Sequence, residues 1–232
     1  MRCFYLQLLA LVFSFPALAE EVRIPVKHLS DQNLTQNFTK AMVTDLSGHI
    51  TPAGLKPIKS QMVTKFGPGT SVTVDGKSYV RVATSVTATI KGEKSSLESY
   101  SLFNPETFQP VKSFQPDGEI TVYREVKAHP EFLKVGELAL LSKSETFNPA
   151  KQKGPIYKTT TLLSLVRVQG ETDLFEFCET DYEYRGSSRS KKADAELSSC
   201  LLINAKGDVQ GYAVLIMEPT SRSTYVGSLK IE

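Results

Sequence analysis

Tryptophan is missing from all 232 residues, which weighs against a sugar-binding cleft and against an outer-membrane barrel with its aromatic girdles. Histidine is scarce. His28, His49 and His129 lie far apart, with no cysteine or carboxylate at ligand spacing, so no metal site is expected. No serine sits in a Gly-x-Ser-x-Gly elbow. Ser188-Arg189-Ser190-Lys191 matches a Ser-x-x-Lys pattern but falls in a polar loop, where the buried helix start that this chemistry needs is absent. Gly67-Pro68-Gly69 is too short to cradle a phosphate and reads as a turn. No cofactor motif emerges. Beyond the first residues, no run approaches the ~20 apolar residues of a membrane helix, so the chain is not expected to span a membrane.

Charge of one sign is lacking as well. The net charge is +2, which gives no reason to expect nucleic acid as a partner. Cysteine is nearly absent, with three in the chain. Cys3 lies inside the N-terminal segment, which leaves Cys178 and Cys200.

That N-terminal segment is the most informative part of what is present. Arg2 precedes an apolar run from Leu6 to Phe15, and Pro16-Ala17-Leu18-Ala19 supplies the small residues that signal peptidase reads. Residues 1–19 are therefore expected to be a secretory signal. Residues 20–232 are expected to form a single exported β domain, in the periplasm or outside the cell. In an oxidising compartment the two remaining cysteines are most simply one disulfide, Cys178–Cys200.

Hydrophobic periodicity predicts strands almost throughout. Val22, Ile24 and Val26 alternate with polar residues, and Pro25 favours an edge. Leu34, Phe38, Met42 and Leu46 recur at helical spacing after Ser30 or Asp31, with Gly48 as a terminator, so a helix is expected over about 31–47. The two sequons there, at Asn33 and Asn37, read as chance. Asp75-Gly76 and Pro116-Asp117-Gly118 mark hairpins. Val80 to Ile90 is a long alternating strand, and Gly136 marks a kink in the apolar stretch 132–141. Leu174–Tyr184, Glu196–Asn204, Val209–Met217 and Tyr225–Ile231 continue the series. The fold class is all-β with one short N-terminal helix, an antiparallel meander forming a sandwich or partly open barrel.

The cysteines also set a register. With Cys178 opposite Cys200, Tyr182 faces Glu196 and the hairpin tip runs from Arg185 to Ala193. Arg185, Arg189, Lys191 and Lys192 make that tip a possible loop for an anionic partner, although a solvated turn needs nothing more than the same polarity. Glu179, Asp181 and Glu183 share one strand face. They could hold calcium or act as an acid–base pair, but the simpler expectation is a solvent-facing edge.

No catalytic constellation stands out. The leading expectation is a non-catalytic exported protein that binds a hydrophobic or amphiphilic ligand or escorts a cell-envelope component, with a lipid or an envelope protein as its partner. The alternatives are an accessory protein–protein module using a sheet edge, and a hydrolase whose acids converge only in space.

Overall fold

The computed structural model describes residues 22–27, 29, 39–186 and 192–231. Two short strands, β1 (Arg23–Pro25) and β9 (Phe132–Lys134), pair with each other. The rest form one antiparallel sheet. Its first half is β2 (Met42–Pro52), β3 (Ile58–Phe66), β4 (Thr70–Val74), β5 (Lys77–Ile90), β6 (Glu93–Phe103), β7 (Pro110–Phe114) and β8 (Ile120–Val126). Its second half is β10 (Leu138–Phe147), β11 (Pro155–Arg167), β12 (Leu174–Arg185), β13 (Ala195–Asn204), β14 (Val209–Glu218) and β15 (Ser221–Ile231).

The sheet closes on itself. Its order runs from β3 through β2, β15, β14, β13, β12, β11, β10, β8, β7 and β6 to β5, and β5 pairs back with β3 from Ser60↔Ile90 to Phe66↔Thr84. The result is a closed antiparallel barrel of 12 strands, to which β4 adds a short thirteenth strand along the far end of β5. Closure removes the open edges that a sandwich or a partly open barrel would keep, so the expected antiparallel meander is adopted as a closed barrel.

The turns follow the sequence signals. Asp75 and Gly76 both take positive φ, 50° and 74°, the pairing a two-residue hairpin turn requires. Gly136, at φ 85°, separates β9 from β10 and is the expected kink. The disulfide is formed: Cys178 and Cys200 are directly opposed on β12 and β13, with Cα atoms 4.1 Å apart. The register it implied holds, with Tyr182 across from Glu196.

The helix expected over 31–47 needs correction in its second half. Residues 30–38 lie outside the described residues, but Met42 to Pro52 is strand β2, paired with β3 on one side and β15 on the other. A spacing of four is even, so Met42 and Leu46 share a face in a strand as well as in a helix. The β-branched residues between and after them then favour the strand. Among the described residues, the backbone is helical at Lys27 and Leu29. Gly48 terminates nothing. It sits within β2, where β15 comes so close that a Cβ would lie 1.8 Å from the Thr224 carbonyl oxygen.

One end of the barrel is filled by the N-terminal segment. Ile24, Val26 and Leu29 are fully buried, packed with Leu133 of β9 against Leu141, Leu163, Leu165, Phe175, Phe177, Leu201 and Ile203 of the wall. Full burial of each such side chain contributes about 1.5–3 kcal/mol, so this plug anchors an otherwise short strand pair. A second cluster, Leu46, Val214 and Tyr225, with Ile50, Met62 and Ile216 beside it, lines the wall made by β2, β3, β14 and β15.

The outer face is mixed. Arg124 pairs with Glu145 at 2.9 Å and Lys143 with Glu125 at 2.9 Å across neighbouring strands, and such charges do not make a lipid-facing band. Among the described residues, no helix is long and apolar enough to cross a membrane.

Candidate functional site

Twelve strands enclose more space than their own side chains fill, since a barrel of eight is already just wide enough. The register shows which side chains face that space. On β12 the residues in phase with the core phenylalanines Phe175 and Phe177 are Glu179, Asp181 and Glu183, so the three acids point inward. The expectation of a solvent-facing strand edge is therefore corrected. Strand alternation places them together, but nothing within the strand says which face closes on the lumen.

Glu179 and its diagonal neighbour Leu197 identify the space as open. Both face inward from adjacent strands of the closed wall, yet Leu197 is 39% exposed and Glu179 also keeps accessible surface. A packed core leaves no such surface. At the same time the surrounding wall strips bulk water from Glu179. Desolvation, with the neighbouring Asp181 charge second, pushes its carboxyl up to about 7. Accessible surface and desolvation are compatible because the carboxylate stands in an enclosed lumen rather than at the outer surface.

Around it the wall is hydroxyl-rich. Ser142 Oγ donates to Thr161 Oγ1 at 3.0 Å, and Thr161 Oγ1 donates to Asp181 Oδ1 at 2.6 Å, a chain running across β10, β11 and β12. Burial raises the Asp181 pKa and the Thr161 bond opposes the rise. Thr121 and Thr146 bond at 2.9 Å, and Ser101 and Ser113 at 2.7 Å, on the same inner face of β6, β7, β8 and β10. Tyr123 of β8 and Tyr212 of β14 flank the acids. Both phenols are raised, first by burial, and both feel the Glu179 charge. Further toward the open end, burial raises Glu183, helped by Asp181, Glu119 and Glu218.

The acids are confined to the β8–β12 side of the lumen, whereas Leu46, Met62, Val214, Ile216 and Tyr225 line the other side together with the hydroxyls of Thr44, Ser60, Thr64 and Ser223. Among the described residues, no group of three or more histidine, cysteine, aspartate or glutamate side chains is placed to hold a metal ion. Glu179, Asp181 and Glu183, candidate calcium ligands by sequence, form no such group.

The basic tip is only partly within view. Arg189 and Lys191 lie outside the described residues. Arg185 is held by Asp194, whose Oδ2 accepts the Arg185 backbone N–H at 2.8 Å and whose Oδ1 is 3.9 Å from the guanidinium Nε. Beside Arg185 a cleft of about 230 Å³ is lined by Gln152, Ile156, Tyr157 and Gly186. The disulfide lies behind the acids, on the outer face of the same two strands.

No family model matches the chain, and no curated protein matches it. Among solved structures, the chain is similar to the crystal structure of a β-barrel-like protein of domain of unknown function DUF1849 from Brucella abortus. The identity is 13% and the TM-score 0.35, over 83% of this chain and 98% of that one. A likeness of that degree carries no functional argument, so the functional reading rests on the barrel itself.

Proposed function

We propose that this chain is an exported binding protein that holds an amphiphilic ligand in the lumen of its barrel. The observation that carries the reading is the pair Glu179 and Leu197. They are inward-facing neighbours in a closed wall, yet both retain accessible surface, so the lumen has room for a guest. Its lining suits an amphiphile, with the acids on one arc and the cluster of Leu46, Val214 and Tyr225 with Met62 and Ile216 on the other. Binding sites of this kind combine a mostly apolar wall with a few placed polar groups. The plug formed by Ile24, Val26 and Leu29 closes one end, so a guest enters and leaves by the other. Export to the periplasm fits the signal-like N-terminus and the Cys178–Cys200 disulfide.

Native mass spectrometry of protein purified from the cells that make it tests the reading. A bound small molecule of a few hundred daltons, released by organic solvent and replaceable by a C12 amphiphile, is the expected result. A bare protein mass, together with no thermal shift on adding C12 amphiphiles, would overturn it.

A further inference from the structure

The lumen shows a charge imbalance that a guest has to answer. Glu179, Asp181 and Glu183 face inward from β12, and Glu119 and Glu218 add their charges at Glu183. Along the same inner face, the registers of the barrel strands place no lysine or arginine between the two rims, among the described residues. Lys151 at the open end is already engaged, its Nζ 3.2 Å from Glu119 and 3.6 Å from Asp117. The charge that acts on Glu179 is Asp181, of like sign.

We infer that the ligand's polar end is a cation, an amine or guanidinium head on an apolar body. This rests on the lumen reading above and narrows it. The ammonium lies against Glu179 and Asp181, beside the Ser142 and Thr161 hydroxyls, and the apolar body lies along Leu46, Met62, Val214 and Ile216.

Calorimetric titration of the disulfide-intact protein at pH 8 with three C12 probes tests it. The probes are dodecylammonium, dodecanoate and neutral dodecyl glucoside, each kept below its micelle concentration. Dodecylammonium is expected to bind at least about tenfold tighter than either other probe, the worth of one charge-assisted hydrogen bond. The E179Q/D181N variant is expected to lose that preference while keeping its affinity for the glucoside. The single variant E179Q is expected to lose part of it. Equal binding of dodecanoate, or a preference that survives both substitutions, would overturn the cation while leaving an amphiphile-binding lumen standing. Failure of all three probes to bind would overturn the lumen reading and this inference together.

Discussion

Cys178 and Glu179 are consecutive on β12 and face opposite sides of the barrel wall. The sulfur is bonded to Cys200 outside, and the carboxylate stands in the lumen. The covalent clip thus fixes the two strands that carry Glu179 and Leu197 without touching the space between them.

Removing the clip should therefore separate stability from binding. In the chain-entropy account, a bridge across a sequence separation of 22 residues contributes about 3 kcal/mol. For a domain of this size that corresponds to a melting temperature lower by roughly 6–12 °C. The C178S/C200S variant, or the reduced protein, should show that loss in a thermal melt. Its affinity for amphiphiles well below the new midpoint should match the oxidised protein. A large drop in affinity at unchanged stability would show that the sulfurs act inside the site.

Stability should also fall as pH rises. In the folded protein the Glu179 carboxyl is raised from 4.5 to about 7, and Asp181 and Glu183 are raised too, all chiefly by burial. Between the unfolded and folded values the native state holds more protons, so stability declines from about pH 4.5 to pH 7 and then levels. Asp181 on the same strand and the phenols of Tyr123 and Tyr212 on β8 and β14 are the titratable groups around Glu179. Glu125, lowered by Lys143 and then Lys127, has the opposite sign but stands on the outer surface. Urea midpoints at pH 5, 6, 7 and 8 check this, and the slope should be shallower in E179Q. An unchanged slope in that variant would place the linkage elsewhere.

The plug is the third test. Ile24 is fully buried, packed among wall residues from β10 to β13. Ile24→Ala should cost about 2–5 kcal/mol, as a large-to-small change in a packed core does. Denaturant unfolding measures it. A cost below 1 kcal/mol would mean that the segment rests loosely on the barrel end.

Most of the strands were legible because their signals are local. Asp75-Gly76 sets its own turn, Val80 to Ile90 alternates without interruption, and Cys178 opposite Cys200 fixes the β12–β13 register outright. Closure was not legible. The pairing of β3 with β5 joins strands that bracket β4, and a meander that closes reads the same as one that stays open. Hence Glu179, Asp181 and Glu183 could be assigned to one face but not to the inner one. Their phase with Phe175 and Phe177 was the available signal. Met42 and Leu46 misled because their spacing satisfies both periods, and the deciding fact, β15 running alongside, lies far away in sequence.

That β2–β15 seam supplies the last prediction. Gly48 and Gly227 lie on the inner face where the two backbones nearly touch. A Cβ on Gly48 would stand 1.8 Å from the Thr224 carbonyl oxygen, and one on Gly227 would stand 2.1 Å from that of Asp45. No side-chain rotation relieves a clash with backbone, and β15 cannot retreat because β14 holds its other edge. Gly48→Ala should therefore cost about 1–3 kcal/mol, the range for overpacking a fixed site. Gly154 is the matched control, with ordinary φ and nothing within 4 Å of an added Cβ. There alanine should be neutral or should stabilise by about 0.4–1 kcal/mol, by restricting the unfolded chain. Parallel urea titrations separate the two. If Gly48→Ala unfolds with the midpoint of Gly154→Ala, the seam is not close-packed and the strand role assigned to Gly48 is wrong.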